Sequence, residues 1–299
     1  HRIGGELVSH PLLKGVGFTG SLSGGKALYD LAQKREEPIP VFAEMGSVNP
    51  ILITEKRLLT DKNLSETLAN SISQGTGQFC TNPGMIILCD PKGRSKIASK
   101  VNDHLSKMIL PPMVHINIEK NYLQQLNKLQ ENESVKLLRT SSSNSAIGVV
   151  SAEDVLKNKK LTEEIFGPFS LFVECKSMNQ LKDLVKIIPG QLTATILAHK
   201  DDHSELVPLV TQLKNKVGRL LFEGVPTGVA VNQAMQHGGP YPASTDGRYT
   251  SIGTDAIYRW LRPITFQDCP NTLLPPILQN ENPLKIYRLI NEQLTKDTL

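Results

Sequence analysis

The sequence predicts an α/β fold, and three observations support this prediction. Strand-like apolar runs alternate with helical patterns along most of the chain, at the spacing typical of α/β proteins. The 299 residues are 39% hydrophobic and 21% charged, which is enough apolar material to bury a substantial core. Four widely spaced cysteines form no CxxC pair, so neither a disulfide framework nor a zinc cluster is expected to replace that core.

The first third of the chain begins with a strand-to-helix unit. Residues 15–20 (GVGFTG) predict a short strand that enters a turn. Residues 21–35 predict a helix capped by Ser21, because a serine hydroxyl accepts hydrogen bonds from first-turn amides. The remaining predicted elements here are strands at 39–46 and 49–53, a helix at 60–75 with Thr60 or Asp61 at its start, and a strand at 84–90.

The same alternation continues to about residue 225. The tract at 140–146 (TSSSNSA) predicts a mobile loop and not a domain linker, because strand and helix patterns continue on both sides. The last sixty residues are irregular and rich in turn formers, which is typical of a tail that wraps over another domain or subunit. The predicted strands are 146–150, 170–175, 193–198 and 219–223, and the predicted helices are 93–107, 117–131, 177–187 and 204–215.

The distribution of charge argues against several classes of partner. The net charge of +4 comes from 33 basic and 29 acidic residues that are interspersed, and the one basic cluster, residues 157–160, reads as a solvated turn. Without a basic stripe interleaved with aromatic residues, nucleic-acid binding is not expected. No apolar run approaches the roughly eighteen residues of a membrane span, so no membrane association is expected. The cysteine usage suits a reducing compartment, and we predict a cytoplasmic location.

A literal GxGxxG pattern occupies residues 15–20. The pattern indicates a dinucleotide site when the glycines follow a strand and open a helix, but here the predicted strand lies inside the match. The next turn, with Gly20, Ser21, Gly24 and Gly25, falls at a strand-to-helix junction whose amides could meet a phosphate. An ordinary capped turn explains the same residues equally well, so both interpretations stay open.

Cys80 lies in a stretch, QGTGQFCTNPG (74–84), that is poor in core-forming side chains. A thiol in a glycine-rich loop after a helix is a candidate nucleophile, since the thiolate is the reactive form of cysteine. A buried, inert cysteine is the alternative. The other three cysteines, Cys89, Cys175 and Cys269, fall in strand-like or tail contexts and are interpreted as structural.

Glu44 is a lone carboxylate at the end of an apolar strand. An acid in such a place must be paired or have a raised pKa, and a general base near neutral pH needs a raised pKa. Glu44 is therefore a candidate base for Cys80. A surface glutamate at a strand end is the alternative.

Four motifs in order, GFTGS, FAEMGSVNP, GQFCTNPG and EEIFGP, resemble the aldehyde dehydrogenase superfamily from about residue 10 to 275. The spacing from Glu44 to Cys80 is close to the family's usual gap, whereas the spacing from Cys80 to Glu164 is somewhat short. REEPIPVFAEMGSVNP and the segment HGGPYPASTDGRYTSIG are most similar to the branch of α-ketoglutaric semialdehyde (2,5-dioxopentanoate) dehydrogenases.

The resemblance implies a two-step covalent mechanism of aldehyde oxidation with NAD or NADP as cofactor. Sulfur attack on the aldehyde gives a thiohemiacetal, hydride transfer leaves a thioester, and water then releases the acid. The backbone N–H of the nucleophile would form half of an oxyanion hole. By motif, the implied catalytic residues are Cys80 (nucleophile) and Glu44 (base for water), and the implied cofactor-binding residues are Gly20, Ser21, Gly25, Glu164 and Phe166.

The resemblance also implies a domain order. Residues 1–46 would be the last part of a Rossmann-like NAD(P)-binding domain, 47–240 an aldehyde dehydrogenase-like catalytic domain with a mixed or parallel sheet and flanking helices, and 241–299 a tail for homo-oligomerisation into a dimer or tetramer. The family's residues before the FTGS turn, including an oxyanion-hole asparagine, have no counterpart here. We therefore expect a C-terminal portion that is inactive alone, with 2,5-dioxopentanoate as the aldehyde in the parent enzyme.

Two other function classes remain possible. A cysteine hydrolase could use a histidine such as His237 as base, although no histidine lies in a motif beside Cys80. A non-catalytic scaffold could assemble through the strand-like segment 262–267 (RPITFQ) by edge pairing. Arg248 and Arg259 could bind a substrate carboxylate, or could tie down loops of the tail. No metal site is predicted.

Overall fold

The computed structural model describes residues 2–140 and 143–299. Ser141 and Ser142, in the loop predicted at 140–146, lie outside the described residues. Thr140, Ser143 and Ser145 are buried, and their hydroxyl groups hydrogen bond to one another. This described part of the segment is therefore packed, in contrast to the predicted mobile loop.

The strands fall close to the predicted apolar runs. The predicted strand at 15–20 is observed inside the GxGxxG match, so the glycines do not have the register of a dinucleotide fingerprint. The strands are β1 (Val16–Thr19), β2 (Val41–Glu44), β3 (Ile51–Ile53), β4 (Met85–Cys89), β5 (Lys136–Arg139), β6 (Ala146–Ser151), β7 (Phe169–Cys175), β8 (Gln191–Leu197), β9 (Val217–Phe222), β10 (Arg288–Ile290) and β11 (Gln293–Thr295).

The helices include several short ones that the sequence patterns did not predict. Ser21 caps the second helix as predicted, because its hydroxyl accepts a hydrogen bond from the Gly24 N–H. The helices are α1 (Arg2–Ser9), α2 (Leu22–Gln33), α3 (Glu55–Thr60), α4 (Leu64–Ser73), α5 (Ile97–Leu105), α6 (Ile116–Gln130), α7 (Ala152–Lys157), α8 (Met178–Ile187) and α9 (His203–Leu213).

The predicted start of the helix over 60–75 is wrong. Thr60 is the last residue of α3, and Asn63 precedes α4. Asp61 breaks the helical pattern because its carboxylate accepts a hydrogen bond from the Asn63 N–H and forms an ion pair with Arg57. The helix predicted over 60–75 is therefore observed as α4, with a later start at Leu64.

Seven strands form the main sheet in the order β5-β6-β7-β4-β3-β8-β9. The pairs are parallel except for β5, which runs antiparallel to β6. The α/β fold with a mostly parallel sheet and flanking helices is therefore confirmed.

Alternate residues of the central strands point to opposite faces, and each face has its own core. Leu52 and Ile87 pack in one cluster with Tyr122 of α6 and Leu184 of α8. The neighbouring residues Ile51, Ile53, Ile86 and Leu88 pack in the other cluster with α4 and α5. Helices on both faces explain why these strands are continuously apolar.

A second, two-stranded parallel sheet pairs β1 with β2. Its core contains Val8 of α1, Ala32 of α2, and Val41 and Ala43 of β2. This small unit carries both Glu44 and the Gly20 turn. Within the part of the chain that is described, no helix has the length and apolar composition needed to span a membrane.

The chain divides into two compact units, one that ends at Arg259 and one from Trp260 to Leu299. The second unit contains the antiparallel pair β10 and β11. Residues 262–267, which are all described, belong to no strand, so the predicted strand in RPITFQ is absent. The predicted domain limits at 46 and 240 stay predictions.

Candidate active site

The loop that carries Cys80 has an unusual backbone. Gly75, Thr76 and Gly77 all have positive φ, at 57°, 57° and 65°. Such values are rare for a β-branched residue, and Thr76 is held there by burial and by a hydrogen bond from its hydroxyl to the Pro111 carbonyl. The loop is therefore specified by its surroundings as well as by its glycines.

Gly77 has no room for a side chain. A Cβ at this position would overlap the carbonyl group of Gly167, which precedes β7. Asn82 reinforces the contact because its Nδ2 donates to the Gly167 carbonyl at 3.2 Å. Glycine in QGTGQFC thus lets the Cys80 loop approach the segment that follows Glu164 and Phe166.

A buried amide network fixes the backbone of Cys80 itself. Asn49 is fully buried, and its Nδ2 donates to the carbonyl oxygens of Cys80 and Asn82, both at 2.9 Å. The Oδ1 of Asn49 accepts from Ser47 and Thr193. Since buried amides are costly without partners, this network connects the SVNP motif to the position of the cysteine.

Glu44 ends β2 and is enclosed by the segment 243–245. The N–H of Met45 donates to the Ala243 carbonyl at 2.8 Å, and Glu44 forms a β-bridge with Ser244. Its carboxylate Oε2 accepts a hydrogen bond of 2.7 Å from the Ser251 hydroxyl. Glu44 is 7% exposed, so the alternative of a surface glutamate does not apply.

Cys80, Glu44 and His237 meet in one cluster. The Cys80 Sγ lies 3.3 Å from His237 Nε2, and the same Nε2 lies 3.2 Å from Glu44 Oε1. The side chains of His237 and Glu44 are 5% and 8% exposed, while Cys80 is half-buried and accessible. The structure thus brings the two predicted catalytic residues together and adds an imidazole between them.

The electrostatics favour the charged forms of His237 and Glu44. Burial lowers the pKa of His237, but its hydrogen bonds to Cys80 and Glu44 outweigh burial and raise that pKa to about 9. Burial raises the pKa of Glu44, but hydrogen bonding and attraction to His237, with smaller contributions from Ser251 and Cys80, lower it overall. Glu44 is therefore paired, and the raised pKa required of a base is not observed.

In the sequence-based interpretation His237 is named only as the base of a cysteine hydrolase, and the absence of a histidine motif beside Cys80 counts against that hydrolase. The structure shows that the two side chains are in contact although 157 positions of sequence separate them. His237 follows an irregular segment after β9, and its backbone N–H donates to the Thr250 hydroxyl at 3.0 Å. No local pattern in the sequence marks this contact.

The other cysteines differ from Cys80. Cys89 and Cys175 are buried on adjacent strands, and burial raises the pKa of both thiols, that of Cys89 to about 11. Cys269 is half-buried in the unit from Trp260 to Leu299. Only Cys80, among the described cysteines, contacts an imidazole and a carboxylate.

The predicted cofactor turn lies beside Glu44. The N–H of Gly20 donates to the Glu44 carbonyl at 3.1 Å, and Ser21 caps α2. A Cβ on Gly25 would lie 2.6 Å from Met45 Sδ, so glycine allows α2 to pack closely on the end of β2. These contacts fix the start of α2 next to the cluster, where the N–H groups of its first turn lie.

Glu164 lies against Gly46 and Ser47, just after Glu44 in the chain. Its Oε2 would be 2.6 Å from a Cβ on Gly46, and the Ser47 backbone hydrogen bonds to it. Burial raises the pKa of Glu164 to about 7 in spite of that hydrogen bond. Phe166 lies half-buried two residues further on in the same loop.

The two arginines considered for a substrate carboxylate have other partners. Arg248 forms a bidentate ion pair with Asp246 on the surface, with distances of 2.9 and 2.6 Å. Arg259 donates to the carbonyl oxygens of Ala256 and Ser251. Both side chains thus make contacts within residues 246–259 of the chain.

A family model described as the aldehyde dehydrogenase family matches residues 1–240. The chain is 40% identical over 306 residues to the alpha-ketoglutaric semialdehyde dehydrogenase of Acinetobacter baylyi, covering 99% of this chain and 58% of that protein. It is 39% identical over 295 residues to alpha-ketoglutaric semialdehyde dehydrogenase 2 of Azospirillum brasilense, covering 96% of this chain and 56% of that protein. The chain therefore spans little more than half the length of these relatives.

Solved structures resemble the fold at lower identity. A 1-pyrroline-5-carboxylate dehydrogenase superposes with a TM-score of 0.70 at 21% identity, over 87% of this chain and 52% of that chain. The enzyme of the same name from Thermus with bound NAD gives a TM-score of 0.65 at 22% identity, again over 87% and 52%. These structures support the fold, whereas the family model over residues 1–240 identifies the family. The chain belongs to the aldehyde dehydrogenase family.

Proposed function

We propose that the parent of this chain oxidises an aldehyde to the acid with NAD or NADP, through a covalent intermediate on Cys80. The observation that carries the proposal is the shared cluster of Cys80, His237 and Glu44 in a member of this family. An accessible thiol beside an imidazole and a buried carboxylate combines a nucleophile with proton acceptors.

In this proposal Cys80 forms and later loses the covalent bond. Cys80 loses its thiol proton to solvent through the Glu44–His237 pair, and the sulfur attacks the aldehyde carbon to give a thiohemiacetal. The Cys80 backbone N–H, which has no acceptor among the described residues, donates to the developing oxyanion. After oxidation to the thioester, water attacks the acyl carbon and gives its proton to the Glu44–His237 pair. The acid then leaves and the Cys80 sulfur is released.

The residues present fit a nicotinamide cofactor at the β1–α2 turn. Gly20 and Ser21 leave the first turn of α2 exposed, where backbone N–H groups can bind phosphate oxygens. Gly25 keeps that helix close to Glu44, and Glu164 with Phe166 would contact the nicotinamide ribose. NAD or NADP would supply the hydride acceptor for the oxidation step.

We propose 2,5-dioxopentanoate as the aldehyde, and its product would be 2-oxoglutarate. Support comes from the two alpha-ketoglutaric semialdehyde dehydrogenases that are about 40% identical over nearly the whole chain. By analogy with the family we further propose a homo-oligomer, a dimer or tetramer. The four free cysteines agree with a reducing, cytoplasmic location.

The test compares this chain with a fusion. The purified chain is assayed for NAD(P)H formation with 2,5-dioxopentanoate, and so is its fusion to the preceding part of the Acinetobacter baylyi relative. We expect activity in the fusion and none in the chain alone. Cys80→Ser should abolish the activity of the fusion, and Cys269→Ser should leave it unchanged. An active Cys80→Ser fusion would overturn the proposed nucleophile, and robust turnover by the chain alone would overturn the expected dependence on the part of the relative that is fused to it.

A second candidate is a cysteine hydrolase, and the contact between Cys80 and His237 favours it. Cleavage of an activated ester by the chain without nicotinamide, lost in His237→Ala, would support this candidate. The non-catalytic scaffold remains the third candidate. A stable oligomer without any cofactor binding would support it. Residues 262–267, which were expected to pair between subunits, form no strand.

A further inference from the structure

The three side chains of the cluster offer the donor atoms that zinc prefers. The Cys80 sulfur, an imidazole nitrogen of His237 and a carboxylate oxygen of Glu44 all lie within 4.8 Å of one another. We propose that these residues form a Zn²⁺-binding site, and that Zn²⁺ bound there reversibly blocks the nucleophile. Binding itself does not depend on the proposed aldehyde oxidation; only the inhibition does.

The distances suit tetrahedral coordination. Zinc bonds are about 2.3 Å to sulfur and about 2.0–2.1 Å to nitrogen and oxygen, so tetrahedral ligand atoms are separated by about 3.6 Å (S to N) and about 3.3 Å (N to O). The observed separations are 3.3 Å between Cys80 Sγ and His237 Nε2 and 3.2 Å between Nε2 and Glu44 Oε1. The third pair, Cys80 Sγ and a Glu44 carboxylate oxygen, lies within 4.8 Å, and the ion is admitted once these two atoms are about 3.6 Å apart.

Each ligand is already held by its own partner. Asn49 donates to the carbonyl of Cys80, and Thr250 accepts from the backbone N–H of His237. Ser251 donates at 2.7 Å to Oε2 of Glu44, which leaves Oε1 directed to the cluster. Because partners outside the coordination sphere orient the ligands before binding, little conformational entropy is lost when the ion enters.

The donor set selects zinc over the abundant hard cations. Magnesium and calcium prefer six or more oxygen ligands, whereas the cluster supplies one sulfur, one nitrogen and one carboxylate. Three protein ligands leave a fourth position for water, as in open zinc sites. Cys80 is only half-buried, so this position can face solvent.

Occupation of the site changes the chemistry of Cys80. Zn²⁺ replaces the protons held by the thiol and the imidazole, which are released to solvent, and a Zn–S bond uses the electron pair that would attack the aldehyde. No electron transfer is involved. Removal of the ion by a chelator should therefore restore the thiol.

The experiment uses the whole chain, fully reduced and metal-free, at pH 8. Zn²⁺ is titrated against a chromophoric chelator, and Co²⁺ is added as a spectroscopic probe. We expect one ion per chain, a thiolate-to-cobalt charge-transfer band and the d–d bands of a tetrahedral site. Cys80→Ser and His237→Asn should each weaken Zn²⁺ binding by at least about a hundredfold, since loss of an outer partner alone costs ten- to a hundredfold. Cys269→Ser is the matched control and should bind as the unsubstituted chain does.

A second measurement needs no substitution and so does not depend on the folding of variants. Stoichiometric Zn²⁺ should protect Cys80 from iodoacetamide by at least about tenfold, reversibly with chelator, while the labelling of Cys269 stays constant. Unchanged labelling of Cys80 under saturating Zn²⁺, or equal Zn²⁺ affinity in Cys80→Ser and the unsubstituted chain, would overturn the site. Zn²⁺ binding without inhibition of the active fusion would overturn only the block.

Discussion

At the residue scale, His237 is the member of the cluster that no sequence motif identified. Its Nε2 lies between a thiol sulfur and a carboxylate oxygen at nearly equal distances. A bare nitrogen lone pair would be repelled by the carboxylate, so a proton on Nε2 is favoured, and the raised pKa of His237 places a positive charge beside the Cys80 sulfur. His237 thus links Cys80 to Glu44.

We expect His237→Asn to slow the alkylation of Cys80 by iodoacetamide at pH 7.5 by at least about tenfold, because the thiolate loses its cationic neighbour. Rates are measured for each cysteine by mass spectrometry of peptides. Cys269 is the internal reference, and His10→Asn on the surface is the control substitution. Equal Cys80 rates in both variants would contradict the role of His237.

Glu164 gives a prediction about the pH dependence of stability. Its pKa is about 7 in the folded chain against 4.5 ordinarily, so the folded state binds the proton more tightly than the unfolded state. Its contribution to stability is therefore most favourable below pH 4.5 and is lost as the pH rises to 7. We expect Glu164→Gln to raise the free energy of unfolding at pH 8 by about 1–2 kcal/mol and to change it little near pH 4.5.

Urea unfolding of both proteins at pH 4.5 and pH 8 measures this difference. Glu163→Gln is the matched control, since Glu163 is an exposed neighbour on the same segment. An equal stability change at both pH values would indicate that Glu164 is not held in a costly ionised form.

At the scale of elements, the loop of residues 74–84 depends on a contact with a distant loop. Sequence patterns predicted a glycine-rich turn, but the turn alone does not explain why Gly77 must be glycine. The reason is the carbonyl group of Gly167, which occupies the space of a Cβ. Cys80 is therefore positioned jointly by two loops and by Asn49.

We expect Gly77→Ala to lower the free energy of unfolding by more than about 2 kcal/mol, because the positive φ and the overlap with Gly167 both add cost. Gly93→Ala is the matched control: its φ of 59° is similar, but a Cβ there meets nothing within 4 Å. We expect the control to cost about 1 kcal/mol. Thermal and urea unfolding compare them, and equal losses would exclude the close approach as the cause.

The short elements show where periodicity fails. Asp61 accepts a hydrogen bond from the Asn63 N–H, so the predicted start of the helix at Thr60 or Asp61 falls in a turn between α3 and α4. β5 is half-buried and pairs with β6 at the sheet edge, which gives it no strong apolar alternation to detect. Long buried strands such as β8 were predicted well because every residue faces a core.

At the scale of the whole molecule, the cluster lies entirely in the unit that ends at Arg259. The unit from Trp260 to Leu299 contains many exposed apolar side chains, among them Ile264, Leu273 and Leu289. Such surfaces are typical of segments that contact another subunit. This agrees with the proposed oligomerisation role of the tail.

We expect deletion of residues 262–299 to convert an oligomer into a monomer while the iodoacetamide reactivity of Cys80 stays within about twofold, since no cluster residue is removed. Light scattering after gel filtration measures the mass. The control is the uncut chain at the same concentration. An unchanged mass would contradict the oligomerisation role, and loss of Cys80 reactivity would show that the tail supports the site.

The sequence by itself determined the α/β alternation, the Ser21 cap, the family and the two candidates Cys80 and Glu44, because each is encoded by neighbouring residues. Periodicity, capping and short motifs act over a few positions of chain. Only the tertiary structure decided that His237 joins Cys80 and Glu44, that Gly77 abuts Gly167 and that Glu164 flanks Gly46. These contacts form when packing brings together residues that are far apart in the chain, and a local sequence pattern does not specify which distant residues will be in contact.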